Sequence, residues 1–140
     1  MTSATIGIKQ ADGSVRATRV NADGYPAHAG AMLALHYHTP EQIEALLALG
    51  ELSVLDKNLT PPEGTAHTWA NPAPETTIAY HRDRGEKFTP AKRYGSVEEY
   101  LANAISDTGA SYAYLFDDGK WFFRTAAKNE LFELNVETAK

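Results

Sequence analysis

The sequence predicts an α+β domain in which two to three helices pack on one face of a mainly antiparallel sheet of five to six strands. Two hairpin signals and two capped helical stripes support this fold class. Asp12-Gly13 and Asp117-Asp118-Gly119 each separate two β-prone runs, which is typical of a tight hairpin. A chain of 140 residues is long enough for one core, so we expect a single domain over residues 1–140.

The first half of the chain predicts a hairpin and then two helices, in order over residues 5–9, 15–20, 27–37 and 40–49. The strongest local signal begins the second helix. Thr39 is a cap residue, Pro40 occupies the first helical position, and Gln42 completes a capping box. Gly50 is expected to end this helix.

Residues 51–76 are expected to be mostly loop because they contain four prolines. Trp69 is expected to pin this loop to the core. A loop of this length within a small domain is often functional, or it contains a short element.

The second half predicts a strand, a helix and a hairpin, in order over residues 76–80, 96–105, 112–116 and 120–125. Ser96 and Glu99 are spaced as a capping box at the start of the helix. Phe132, Leu134 and Val136 alternate with polar residues, which predicts one more strand at the carboxyl end.

A basic segment follows the strand at 76–80 in a chain whose net charge is −5. It contains five of the 13 Lys and Arg residues, namely Arg82, Arg84, Lys87, Lys92 and Arg93. On an extended chain Arg82 and Arg84 point to the same side, where two guanidiniums could hold a phosphate or carboxylate. Internal ion pairs with Asp83 and Glu86 are the alternative interpretation.

Four further residues are candidate ligand contacts. Tyr25 could stand at the mouth of a pocket, and Trp69 could stack on a nucleobase. Asp23 and His81 are candidates for acid–base chemistry. The absence of cysteine excludes disulfides, thiolate zinc sites and cysteine nucleophiles, and no phosphate-loop, dinucleotide or nucleophile-elbow motif occurs. We therefore expect no cofactor and no metal, and a binding protein rather than an enzyme.

Three segments taken together resemble a family of small uncharacterised phage and prophage proteins. They are Asp23-Gly24-Tyr25-Pro26 followed by Gly30, then residues 49–55, and then Arg82-Asp83-Arg84-Gly85-Glu86 followed by residues 114–121. The similarity spans roughly residues 5–125. It implies an origin in a mobile element, and small acidic phage proteins without catalytic motifs often act by binding.

The leading functional hypothesis is an anti-CRISPR-like inhibitor that blocks a host defence protein by direct contact. Acidic residues on or just after the second helix would form its partner surface, namely Glu41, Glu44, Glu51 and Asp56. One alternative is a sponge that sequesters a phosphate-containing nucleotide signal on Arg82 and Arg84. Others are a nucleotide hydrolase using His81 or Glu86 and an accessory protein of the virion.

The bulk properties add expectations about location and partners. Neither a signal peptide nor an apolar stretch long enough for a bilayer is seen, so we expect a protein of the host cytoplasm without membrane contact. The acidic balance disfavours direct nucleic-acid binding. An aromatic sheet edge could support a homodimer.

Overall fold

The α+β class is confirmed in a computed structural model, which describes residues 2–128 and 130–134. The strands in this part of the chain are β1 (Ala4–Lys9), β2 (Val15–Val20), β3 (Leu52–Val54), β4 (Ile78–Ala79), β5 (Lys92–Tyr94), β6 (Tyr112–Asp117), β7 (Lys120–Thr125) and β8 (Phe132–Glu133). The α-helices are α1 (Ala31–His36), α2 (Pro40–Ala48), α3 (Tyr80–Arg84) and α4 (Val97–Thr108), and a π-helical turn, Pro26–Gly30, precedes α1.

The strands form one mixed sheet in the order β4-β3-β2-β1-β6-β7-β8, and β5 pairs with β2. β1 pairs with β6, and β2 with β3, in parallel, while the other five strand pairs of the described chain are antiparallel. The sheet is therefore mainly antiparallel as expected, but it is mixed, and its eight strands exceed the expected five to six. β6 reaches β1 after the chain has crossed through α4, and such a crossover permits parallel pairing. β3, β4 and β5 have only two or three residues each. Such strands are too short for an alternation of apolar and polar residues to be recognised in the sequence.

The helices cover both faces of the sheet, so the expectation of helices on one face is wrong. Ile6 of β1 and Tyr114 of β6 belong to the larger core, which lies under α1 and α2. Leu115 of β6 points the other way and packs with Tyr100 of α4 in a second core. Because β6 is apolar on both faces, each face needs its own cover.

The capping box at Thr39 is confirmed, whereas at Ser96 only the cap is formed, because the Glu99 carboxylate accepts from the Gly95 N–H instead. Thr39 Oγ1 accepts a hydrogen bond from the backbone of Gln42, whose side chain binds back to the Thr39 N–H. Ser96 caps α4 by accepting from the Glu99 N–H. The predicted carboxyl-terminal strand appears as β8, while Val136 lies outside the described residues.

In the described ranges we find no helix that is both long and apolar enough to cross a bilayer.

Candidate binding site

The part of the basic segment that contains Arg82 and Arg84 is helical rather than extended, because residues 80–84 form α3, while Lys92 and Arg93 lie in β5. Arg82 lies against the loop and is engaged in internal contacts. Its Nε donates to Asp83 Oδ1 at 2.8 Å, and its two terminal nitrogens donate to the carbonyls of Leu59 and Thr77. The proposed fork of Arg82 and Arg84 is therefore wrong, and internal pairing is correct for Arg82.

Asp83 is the centre of this buried network. Its side chain is only 3% exposed, and Oδ2 accepts from the Ala79 N–H at 2.8 Å at the start of α3. Burial by itself raises the pKa of Asp83, but the hydrogen bonds from Arg82 and the Ala79 N–H, together with the nearby His67 ring, outweigh burial and lower this pKa to about 2. Asp83 therefore stays ionised and holds α3 against the loop.

His67 reaches Asp83 from the middle of the long loop. Its Nδ1 accepts a hydrogen bond from the Ala73 N–H at 2.9 Å, so the neutral ring carries its proton on Nε2. Nε2 lies 3.2 Å from Asp83 Oδ2, but its alignment is too poor for a good hydrogen bond, so the contact is chiefly electrostatic. His67 was not singled out in the sequence, since nothing in its spacing connects it to Asp83.

Trp69 packs on α3 rather than on the main core. Its ring centroid is 5.3 Å from that of Tyr80, and the Arg84 guanidinium stands 4.8 Å above it. Arg84 also pairs with Glu86 at 3.2 Å. His81 makes its own contact through Nδ1, which lies 2.7 Å from the Glu86 carbonyl oxygen. These side chains fasten the loop and α3 together.

Asp23 and Tyr25 lie in the connection before the π-helical turn. Asp23 adopts a left-handed backbone conformation, with φ 55°, and its carbonyl accepts from the Ala29 N–H. Tyr25 is 39% exposed. In the described part of the chain neither side chain contacts Trp69, Arg82 or Arg84 through a hydrogen bond, ion pair or ring contact, so no single site of the expected composition is formed.

The four acidic candidates are used in separate local contacts. Glu44 pairs with Arg16 of β2 and accepts from Gln10, and Asp56 Oδ1 accepts from the neighbouring Lys57 N–H. Glu51 accepts from Asn21 Nδ2 at 3.1 Å, and Glu41 is exposed at the first turn of α2. The four therefore do not present equivalent free carboxylates to a partner.

A cavity of about 260 Å³ lies on the α4 face of the sheet, and the sequence did not indicate it. Thr5 of β1 and Arg19 of β2, which are opposite each other in the sheet register, contribute to its lining. β5 and the end of α4 supply Lys92 and Asp107, and the connecting segments supply Glu51 and Thr89.

Arg19 is the unusual residue of this cavity. Its Nε is fully buried and has no hydrogen-bond partner, and no carboxylate of the described residues lies within 4.0 Å of its guanidinium. An unpaired buried donor costs about 1–3 kcal/mol. The cavity therefore lacks an acceptor for Arg19.

The second cation of the cavity is already neutralised. Lys92 Nζ lies 2.9 Å from Asp107 Oδ2, and this hydrogen bond raises the pKa of Lys92. Lys92 also stands 5.1 Å from the ring centre of Tyr94. Arg19 is thus the cation of the cavity that no carboxylate of the described residues neutralises.

The sequence contained one indication that Arg19 faces the covered side of the sheet, but the short strand around it made this indication ambiguous. Strand β2 alternates, and Val15 and Ala17, which share a face with Arg19, are buried in the second core. An arginine in register with two small apolar residues points toward the covered face. Within the short strand Val15–Val20, the position of Arg19 is equally compatible with a charge that faces solvent.

Comparison with protein-family models, curated proteins and solved structures finds no match for this chain. Its class therefore rests on fold and cavity: an α+β domain with helices on both faces of a mixed sheet, and a cavity of mixed polar and apolar lining that contains an arginine without an ion-pair partner among the described residues. The resemblance to phage proteins stays a prediction.

Proposed function

We propose that this protein is a non-enzymatic binding protein that captures a small acidic metabolite through its phosphate or carboxylate group at the Arg19 cavity. The observation that carries the proposal is the position of Arg19 in the cavity lining with a buried Nε that has no hydrogen-bond partner among the described residues. A guanidinium presents five donors in a planar fork that matches the oxygens of a phosphate or carboxylate.

The surroundings of Arg19 suit an oxyanion of modest size. Thr5 and Thr89 contribute to the cavity lining, and their hydroxyl groups can donate to the same anion, whereas the Thr108 hydroxyl already donates to the Ala104 carbonyl. Partial burial strengthens an ion pair relative to open water. A volume of about 260 Å³ is below the roughly 300–1,000 Å³ of sites for drug-sized ligands, which favours a small metabolite.

This proposal revises the sponge hypothesis by moving the anion from Arg82 and Arg84 to Arg19. A phosphate-containing nucleotide signal in the cytoplasm of the host cell would belong to this class only through its phosphate group, because the cavity is smaller than sites for drug-sized ligands. The contact inhibitor of a host defence system is retained as an untested prediction, as are the hydrolase, the homodimer and the phage origin. None of the contacts of Glu44, Glu51 or Asp56 adds support to the inhibitor.

The test is calorimetric titration with inorganic phosphate, mononucleotides and small carboxylates, on the wild-type protein and on Arg19→Met. We expect at least one acid to bind the wild type, and the substitution to weaken that binding by about tenfold or more. Arg93→Gln is the matched control, because Arg93 is exposed on β5 and pairs only with Asp12.

A second readout separates ligand binding from a structural role. If Arg19 serves a ligand, Arg19→Met removes an unpaired buried donor and should leave the ligand-free protein equally stable or more stable in urea unfolding. The absence of any bound acid, or equal affinity in the wild type and Arg19→Met, would refute the proposal.

A further inference from the structure

Besides Arg19, the cavity contains another charged group without an ion-pair partner in the described chain, and its hydrogen-bonding capacity is only partly used. Glu51 contributes to the same lining as Arg19. Its Oε2 accepts one hydrogen bond, from Asn21 Nδ2 at 3.1 Å, and no Lys, Arg or His of the described chain forms an ion pair with it. An ionised carboxylate has about four acceptor positions, so most of its capacity is open.

Glu51 is held in place by its neighbours. Its backbone carbonyl accepts from the Tyr80 N–H at 3.3 Å, and the following residue, Leu52, pairs with Val20 next to Arg19. Asn21 Nδ2, the donor to Glu51, also contacts the Tyr80 hydroxyl at 2.7 Å. The carboxylate is therefore positioned by the sheet rather than by a freely moving loop.

The charges of the cavity leave one cation and one anion uncompensated. Lys92 and Asp107 neutralise each other, whereas Arg19 and Glu51 are more than 4.0 Å apart and form no pair. A ligand with an acidic group at one end and an ammonium group at the other would satisfy both, and an amino-carboxylate would do so without leaving net charge in the cavity.

We propose that the ligand is a small zwitterion, an amino-carboxylate or aminoalkyl phosphate, whose acidic group binds Arg19 while its ammonium group binds Glu51. This inference rests on the proposed function, because it takes the anion to be at Arg19. It adds the requirement that the ligand carry an ammonium group, which a simple acid lacks. Phosphate and carboxylate ligands share the acidic chemistry, and the experiment distinguishes them.

The experiment compares pairs of probes that differ only in the amino group. Glycine, β-alanine and 4-aminobutyrate are titrated beside acetate, propionate and butyrate, and 2-aminoethyl phosphate beside ethyl phosphate. We expect at least one amino compound to bind the wild type about tenfold more tightly than its partner without the amine. The carboxylate and phosphate series identify which acid the cavity prefers.

Glu51→Gln is the second arm, since it keeps the size of the side chain and removes its charge. It should abolish the advantage of the amino compound, and it should not weaken the simple acid, because it removes a negative charge from the cavity that holds the anion. If simple acids bind the wild type as tightly as their amino partners, this inference is overturned and the proposed function stands. If no probe of either kind, nucleotides included, binds at Arg19, both fail. The comparison on the wild type needs no variant, so it holds even if Glu51→Gln does not fold.

Discussion

The side chains of His67 and Asp83 meet at 3.2 Å, and each is only 3% exposed. His67 lies in the long loop and Asp83 in α3, so this contact joins two segments 16 positions apart in the chain. Arg82 completes the network from the Asp83 side and reaches back to the loop carbonyl of Leu59. The loop is therefore attached to α3 by buried charge as well as by the packing of Trp69.

Replacing Asp83 tests how much this attachment contributes. Asp83→Asn removes the negative charge that faces Arg82 and weakens acceptance from the Ala79 N–H, so we expect a loss of about 3 kcal/mol in the free energy of unfolding. Urea unfolding followed by circular dichroism measures it. Asp117→Asn is the control, because Asp117 makes only a partly exposed contact with Lys9 at 3.7 Å, and it should change stability little.

The same carboxylate predicts acid sensitivity. The pKa of Asp83 is about 2 in the folded protein, against an ordinary value of 3.8. A lowered folded pKa means that the stabilisation is nearly complete above about pH 5 and is lost progressively as pH falls through about 4 to below 2. The loss attributable to Asp83 should be about 2 kcal/mol. Unfolding curves measured at intervals from pH 6 to 2 should show this component in the wild type. An identical decline in Asp83→Asn would contradict the assignment.

Gly7 is predicted to be intolerant of any side chain. A Cβ at this position would lie 2.8 Å from Val15 Cγ1 and 2.9 Å from Tyr100 Cζ, inside the second core. Both neighbours are fully buried and cannot move aside, so Gly7→Ala should cost about 1–3 kcal/mol by overpacking. Thermal unfolding measures the cost. Gly95→Ala is the comparison, since its Cβ would meet only the exposed Glu99 carboxylate, and a similar loss there would argue against overpacking.

Gly50 lies where the backbone closely approaches the lining of the cavity. Its φ is +79°, and a Cβ would lie 2.8 Å from the carbonyl oxygen of Thr89, a residue of the cavity lining. Gly50→Ala should cost about 2 kcal/mol in stability and weaken ligand binding, because Thr89 must move. Gly64→Ala is a matched control with the same φ of +79° and open space around it. Equal effects of the two substitutions on ligand binding would rule out the contact with Thr89.

The sequence by itself determined the elements whose signals are local. The capping box of Thr39 and Gln42 and the cap at Ser96 stood at the predicted helix starts, and the turns at Asp12-Gly13 and Asp117–Gly119 joined the predicted hairpins. These features depend on contacts within a few residues, which spacing alone reveals.

Only the tertiary structure decided how these elements meet. The parallel pairing of β1 with β6, the cover on both faces and the buried contact of His67 with Asp83 join residues far apart in the chain. The cavity at Arg19 has the same origin, since the residues lining it come from β1, β2, β5, α4 and two connections. The packing around a charged side chain decides whether that side chain has a partner. Neighbours in sequence do not specify that packing, so Arg82 became a structural residue and Arg19 the candidate ligand contact.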